Sequence, residues 1–428
     1  MQAQGPDGQT QTMLGLADAR QISSKMVATS PAFQTVLPKM DGSRTIDEIC
    51  GEIGQGLQAE TMQSFVAQLD DAGLLEGPTF QALLGELRAQ FESAPDLPPG
   101  KTAEVADALV VGEVGESATD EQKAELGPAA LQRALDQWMN KALEDAENPS
   151  FDALPKAIVV PQSDYARAWP AYAHAWGRLR VADRPDRVLV LGSNTFGEAT
   201  GVTACDKGFR SPLGLCPLDS GLLEAIKGQL GDQGAEALLR NRFDHEREHS
   251  IELQIPWIQH CLGRDEAAPE GEGYVPMLGV LVHDPVANNG ESYDGTGVSL
   301  TAFVDAVRGA LEQLGGSTLI VASADLAHVG PAFGDQVQLV GDSEQATQAR
   351  QQLVASDQAN LKQYAEQSAM DLVTAMAWQQ NPTRWNALGA MAAAKMIAEP
   401  ERVDPLHYMA AMDPQGMGVV STAAMAMF

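Results

Sequence analysis

Four stretches of the chain are apolar without interruption: Ala157–Val160, Val188–Leu191, Met277–Val282 and Leu319–Ala322. A strand with one wet face alternates apolar and polar positions. A run with no polar position predicts a strand buried on both faces. Elsewhere the pattern shifts to a helical repeat. It predicts helices around Tyr172–Trp176 and over Leu300–Leu314, Glu344–Val354, Ala369–Met376 and Leu388–Ile397. Two β segments follow, Leu406–Ala411 and Val419–Met427. Strands alternating with helices predict an α/β fold class: a central, largely buried sheet flanked by helices, from about residue 154 to 428.

The first 150 residues read differently. Residues 1 to about 15 are polar and rich in Gly and Gln, which predicts a frayed end. Thr45 with Glu48 forms a capping box that opens a helix at Ile46–Ile53. Met62, Phe65, Val66 and Leu69 fall at i, i+3, i+4 and i+7, one face of a second helix, which ends before Gly73-Leu74-Leu75. From Ser93 to Pro128 the residues Pro, Gly, Ala, Asp and Glu dominate. That stretch reads as a linker or inserted arm with one strand at Ala108–Gly112. Leu131, Leu135, Trp138 and Ala142 then make a helical stripe to about Asp145. The organisation expected is a small helical domain at 16–92, an acidic linker and helix at 93–153, and the α/β domain at 154–428. No internal repeat of solenoid period is visible.

Composition narrows the function classes. The chain has 428 residues, 44% of them hydrophobic, and a formal net charge of −30. Binding to nucleic acid or to an anionic membrane is driven by positive charge, so neither is expected as a partner. The four cysteines, Cys50, Cys205, Cys216 and Cys261, are far apart and form no CxxC, so neither a zinc knuckle nor a disulfide framework is readable. The first residues carry no basic and then apolar leader, and no run is apolar enough to span a membrane. A cytoplasmic protein is expected, with its oligomeric state left open.

Candidate chemistry concentrates in Glu248-His249-Ser250-Ile251-Glu252-Leu253-Gln254-Ile255-Pro256-Trp257, preceded by Phe243-Asp244-His245-Glu246-Arg247. On a helix Glu248 and Glu252 share a face, being four apart, and His249 lies about 100° round. The spacing fits an acid/base site at the start of a half-buried helix. It fits equally a charged turn that enters a core helix. His245 reads as a surface residue and His174 as a helix-packing one.

The stretch resembles the central E-H-S motif of the Memo family, which includes protein B of the AmmeMemoRadiSam system. Four further segments resemble that family in the same order: Gly192 closing the strand Val188–Leu191, Ser211-Pro212-Leu213-Gly214 with Asp219, Val275–Gly279, and Ala322-Ser323-Ala324-Asp325-Leu326-Ala327-His328-Val329-Gly330. The N-terminal order of Asp-Gly turn, short helix, helix and Gly-Leu-Leu is similar to a PqqD-like winged-helix module, which can hold a peptide against a strand edge. No basic recognition helix is present, so the module reads as an interaction domain without nucleic acid.

The Memo resemblance implies a relationship in fold to class III extradiol dioxygenases. It also implies a pocket at strand ends that can hold a metal through His, His and Cys or a carboxylate, side chains that donate lone pairs to iron, copper or zinc. In this chain the matching positions carry Gln162, Thr195 and Ala327. What remains is His249, at the position of the acid/base in the related dioxygenases, with Glu248, Glu252, Asp325, His328 and Asp164 around it. These residues are expected to converge with Gln162 and Thr195 in one pocket. The resemblance therefore implies a pseudoenzyme: no cofactor, and a binding or scaffold role in which the N-terminal domain recruits a protein or peptide. The competing expectation is a metal-dependent redox or dioxygenase-like enzyme holding iron, copper or zinc at a relocated site of His249, Asp325 and His328. Asp325 and His328 could equally be structural, capping a turn and bonding backbone.

Overall fold

A computed structural model describes residues 2–4, 10–54 and 56–428. The chain divides into two compact units, Met1–Ala94 and Pro95–Phe428. Part of the polar stretch expected to fray is ordered. β1 (Gln2–Gln4) pairs with β2 (Thr10–Thr12) in antiparallel fashion, while residues 1 and 5–9 lie outside the described residues.

In the first unit β3 (Leu14–Ala17) and β4 (Met26–Thr29) form an antiparallel pair. The Asp18 carboxylate fixes the chain between them by accepting from the N–H groups of Arg20, Ile22 and Ser23. α1 (Ile46–Ile53) opens on the Thr45–Glu48 capping box, so two of its orphan N–H groups are satisfied reciprocally. α2 (Ala59–Asp71) and α3 (Pro78–Ser93) follow. Val36, Ile49 and Met62 form a small core, with Phe33, Ile46 and Leu57 packed on it.

The second unit begins with β5 (Asp96–Leu97) and then departs from expectation. The stretch read as a linker with a strand is instead α4 (Lys101–Val114) and the first turns of α5 (Asp120–Leu143), whose later part is the expected helical stripe. Its Ala, Val and Leu residues are not spacer. Val110, Leu131, Leu135 and Met139 are fully buried, so both helices belong to the α/β body. The body then runs through β6 (Ala157–Val160), α6 (Tyr165–Trp176), β7 (Arg187–Ser193), β8 (Thr203–Ala204), β9 (Gly208–Ser211), β10 (Gly214–Cys216), α7 (Ser220–Leu239), α8 (His249–Glu252) and α9 (Ile255–Leu262). It continues through β11 (Met277–Val282), α10 (Leu300–Leu314), β12 (Thr318–Ser323), β13 (Asp325–Val329), α11 (Glu344–Glu366), α12 (Ala369–Gln379), α13 (Leu388–Ala398), β14 (Val403–Met412) and β15 (Val419–Met427).

Eight strands form the main sheet in the order β13-β15-β6-β12-β7-β11-β8, with β14 paired to the other side of β15. β6, β12, β7 and β11 are mutually parallel, and β15 joins them antiparallel. The apolar runs are those four parallel strands, buried on both faces. Ala157, Val159, Leu189, Leu191, Leu278 and Val280 belong to the core shared with α10 and α13. Strand alternation sends Ile158, Val160, Val188 and Val190 to the opposite face. On that face a Cβ at Gly192 would collide with Ser250, and one at Gly279 would meet Phe209 and Ile251. The two strand glycines therefore let α8 lie directly on the sheet. Among the described residues no helix is long and apolar enough to cross a membrane.

Candidate functional site

Because β6, β7 and β12 run the same way, their C-terminal ends share one sheet edge, where the loops of an open α/β sheet form a crevice. The α8 turn is stitched across that edge. The Ser323 hydroxyl, just past the apolar run of β12, donates to the Ser250 carbonyl at 2.6 Å. The Gln254 amide, buried behind α8, donates to the Pro161 carbonyl at 2.8 Å and to Ser323 Oγ at 2.7 Å. With the Ser250 hydroxyl donating to the Ser193 carbonyl of β7 at 3.4 Å, all three strand ends are tied to one helical turn before any candidate side chain is considered.

A hydrogen-bonded path then runs along the edge. Glu248 is the N-cap of α8; its buried carboxylate accepts from the Ser250 N–H at 3.0 Å and the Thr195 N–H at 2.9 Å. Thr195 Oγ1 lies 3.0 Å from Ser193 Oγ, which donates to Gln162 Oε1 at 2.9 Å. The N–H groups of Gln162 and Ser163 donate to Asp325 Oδ1 at 3.0 and 3.2 Å, and the Ser163 hydroxyl donates to Oδ2. Burial pushes the Asp325 carboxyl above the usual carboxylate range, against the opposing pull of His328 and of the Ser163 and Gln162 donors. His249, half-buried, sits beside the path with Nδ1 3.7 Å from Glu248 and its ring 5.8 Å from Phe196.

Gln162, Thr195, Glu248, His249 and Asp325 are therefore brought together. His328 flanks Asp325, but its Nδ1 lies 3.1 Å from the Leu326 carbonyl and 3.3 Å from that of Arg384. With two carbonyls as partners Nδ1 carries the proton, which ties this imidazole to backbone. Two of the expected pocket residues lie elsewhere. Asp164 is exposed at the head of α6 and ion-pairs with Arg167 at 3.1 Å. Glu252 accepts from the N–H groups of Gly100, Lys101 and Thr102 at 2.8, 3.0 and 2.8 Å and from the Thr102 hydroxyl at 2.7 Å, which makes it the cap of α4. It does not share a helix face with Glu248, because Glu248 precedes the first helical residue with ψ 126°. His245 is buried rather than at the surface. Its Nε2 meets the Thr203 carbonyl at 3.3 Å, and burial pushes its pKa down to about 4.

Other residues of this edge carried little sequence signal. Asp244 Oδ2 accepts from Asn194 Nδ2 and from the N–H groups of Glu198 and Ala199 at 2.8, 2.9 and 2.8 Å, folding the loop after β7 back on itself. Gly197 is what that closure requires, since a Cβ there would strike both Asn194 and Asp244. On the far side the segment after α12 has positive φ at Gln380, Asn381, Arg384 and Ala387. It grips β13: the His328 N–H donates to the Thr383 carbonyl at 2.7 Å, and Arg384 Nε donates to the His328 carbonyl at 3.0 Å. Asp357 of α11, fully buried and with its pKa raised by that burial, accepts from Trp385 Nε1, Tyr408 OH and Ser421 Oγ at 2.7, 2.9 and 2.5 Å. Ser421 in turn accepts from the Ala327 N–H at 2.9 Å.

These residues do not fit a mononuclear metal. At the three positions that the resemblance assigns to ligands, Gln162 Oε1 already accepts a hydrogen bond, Thr195 offers a hydroxyl shared with Ser193, and Ala327 has no donor atom. Soft and borderline metals need imidazole, thiolate or carboxylate. Among the described residues no group of three or more His, Cys, Asp or Glu is placed to hold a metal ion, and His249, Asp325 and His328 form no such group. The cysteines are free; Cys205, Cys216 and Cys261 are buried, and burial pushes the Cys205 thiol up to about 12.

Comparison with known proteins places this body. A sequence model of the Memo-like protein family matches residues 125–425. A MEMO1 family protein of Methanopyrus kandleri is 27% identical over 210 residues, 48% of this chain and 65% of the relative. One of Methanothermobacter thermautotrophicus is 25% identical over 210 residues, covering 48% of this chain and 67% of the relative. One of Saccharolobus islandicus is 34% identical over 109 residues, 25% of this chain and 37% of that protein. The matched span holds the main sheet except the last two residues of β15, with every strand-end residue described above, and the chain belongs to the Memo family.

Proposed function

We propose that this chain is a Memo-family protein without mononuclear metal chemistry, acting as a binding protein that recruits a protein or peptide partner through its N-terminal unit. The observation that carries the first half is the state of the strand-end donors. The Gln162 and Thr195 side-chain oxygens are taken up by the Ser193 hydroxyl, and the Glu248 and Asp325 carboxylates by backbone N–H groups and the Ser163 hydroxyl. A ligand set must instead leave converging lone pairs open.

The second half rests on β4. It pairs with β3 on one side, and among the described residues no strand pairs with its other side. Beside it lies a cleft of about 410 Å³ lined by Thr29, Phe33, Thr61 and Phe65, with Glu60 at its margin. A strand edge beside a cleft in which two phenylalanines, Phe33 and Phe65, sit among polar residues including Ser64 and Gln68 suits an extended peptide that adds as a strand and sets one apolar side chain against those rings. Glu60 favours a basic residue beside that side chain. The resemblance of this unit to PqqD-like modules agrees with such a use.

The test is calorimetric titration of the full chain with iron(II), copper and zinc, run beside selection from a library of displayed random peptides. Expected are no stoichiometric metal binding and enrichment of extended peptides whose binding is lost in Phe65→Glu. Tight metal binding abolished by Gln162→Ala and Thr195→Ala, with turnover of a catechol, would overturn the reading in favour of an oxidoreductase.

A further inference from the structure

β14 is the margin of the main sheet over its whole length: β15 covers one side of it, and β6 and β13 lie beyond β15. Its first half is blunted. Pro405 lacks a donor, and the register shifts between Pro405 and His407. Its second half, His407-Tyr408-Met409-Ala410-Ala411-Met412, has no Pro, no Gly, no Asp, Glu, Lys or Arg, and no bulge. Native proteins rarely leave such an edge open, because a row of unpaired N–H and C=O groups templates another strand.

The orientation of that row follows from one bond. The Asp413 N–H donates to the Gly418 carbonyl, so it points toward β15. Backbone groups alternate in direction along a strand, so Met412, Ala410 and Tyr408 direct theirs outward. Among the described residues nothing hydrogen-bonds to them. The edge is also held firmly on both faces. His407 stacks on His174 of α6 with ring centroids 4.4 Å apart, and the next residue, Tyr408, donates to Asp357 of α11 on the other side.

We propose that this edge pairs with the same edge of a second copy of the chain, antiparallel, about a two-fold axis through Ala410. The axis is perpendicular to the sheet, so each residue meets a counterpart on the same face. Ala410 meets Ala410, Met409 meets Ala411 and Tyr408 meets Met412. Bulky side chains face small ones on one face, and an aromatic ring faces a thioether on the other. Three outward N–H groups on each copy give six hydrogen bonds across the seam. In a chain of net charge −30 this segment lets two copies meet without opposing carboxylates. A second copy is favoured over a disordered peptide because it brings a strand already ordered on both faces, so pairing costs no further backbone ordering. A contact resting on one strand is small, so the dimer should be weak, concentration-dependent and strengthened by salt that screens the two negative bodies.

The experiment is sedimentation velocity of the full chain across about two decades of concentration around the micromolar range. It is joined by oxidative crosslinking of Ala410→Cys in a Cys50→Ser background. Directly opposed hydrogen-bonded residues have Cα atoms about 5.5 Å apart, within disulfide reach. Trp378→Cys, at a position 85% exposed on α12, gives the rate of chance encounter. Expected are a reversible two-chain species, crosslinking of Ala410→Cys well above that of Trp378→Cys, and about tenfold weaker association in Ala410→Lys, which sets like charges face to face. Ala410→Lys lowers the net negative charge, so general repulsion cannot explain its loss. A monomer throughout, or a dimer in which Ala410→Cys crosslinks no faster than Trp378→Cys, would overturn the proposal, and neither result depends on how well Ala410→Lys folds.

Discussion

Replacing Glu252 by alanine separates a scaffold role from a pocket role. The carboxylate holds four donors at the start of α4, namely the N–H groups of Gly100, Lys101 and Thr102 and the Thr102 hydroxyl. Gly100 and Lys101 are exposed, so water can replace the lost acceptor there. Thr102 is fully buried, so its two donors would be left without a partner. A buried donor left unmet costs about 1–3 kcal/mol. Loss of a negative charge at a helix N-terminus adds about 0.3–1 kcal/mol. The expected destabilisation of the second unit is therefore about 1–4 kcal/mol if one Thr102 donor finds water and about 2–7 kcal/mol if both stay dry. Glu252→Gln keeps one oxygen but turns an N–H toward the helix amides, and should recover about half. The assay is urea unfolding with the slope held constant between variants, together with amide hydrogen exchange, in which α4 should lose protection before the main sheet. A change within about 0.5 kcal/mol of the parent, the range of surface substitutions without structural role, would refute the assignment.

Three further outcomes follow from the strand-end geometry. Asp244→Ala strands the Asn194, Glu198 and Ala199 donors, so the loop after β7 should exchange its amides faster and stability should fall by about 1–3 kcal/mol; unchanged protection at Glu198 and Ala199 would contradict this. His245 titrates near 4 in the folded chain against 6.5 ordinarily, so the stability it contributes is full above pH 6.5 and is lost as pH falls toward 4. The loss is up to about 3 kcal/mol at 1.36 kcal/mol per unit, and the acid limb of the urea midpoint should flatten in His245→Phe. Placing at the proposed ligand positions the residues that the resemblance implies, as Gln162→His, Thr195→His and Ala327→Cys together, should create stoichiometric zinc binding beyond any shown by the parent. Gln162 and Thr195 already meet through the one Ser193 hydroxyl. A calorimetric trace identical to the parent's would show that these strand ends cannot gather a metal.

Much of the fold was legible because it rests on periodicity. The four uninterrupted apolar runs are the four parallel strands, since only a strand covered on both faces dispenses with polar positions. The helix at 101–114 and the first turns of that at 120–143 were missed for a related reason. Their acidic outer faces and bounding Pro and Gly residues resemble a linker in composition, whereas burial of Val110 and Leu135 is decided by contacts far away in sequence. The site was half legible. Motif order brought Gln162, Thr195, His249 and Asp325 to one edge. Motif spacing put Glu252 with Glu248, because a four-residue separation means one face only inside a helix, and α8 begins after Glu248. His245 reads as a surface residue from its charged neighbours, yet it lies beneath them.

Buried hydrogen bonds account for the polar residues of these segments whether or not a metal binds. Ser250, Gln254 and Ser323 tie α8 to the ends of β6 and β12 through buried bonds of 2.6 to 2.8 Å. Glu248 holds the loop after β7, and Asp325 holds the loop after β6 through two N–H groups and a hydroxyl. Each of these groups is buried, and removal of any one strands its partners at about 1–3 kcal/mol apiece, whether or not a metal ever binds. Gln162, Thr195 and Ala327 are under no such constraint as ligands. An imidazole or thiolate at those positions can be exchanged for a residue that fills the space, provided the backbone N–H groups of 162 and 195 stay where the carboxylates need them. The acidic and amide residues of these segments therefore report the architecture of the strand ends, and only positions 162, 195 and 327 bear on the proposed lack of a metal.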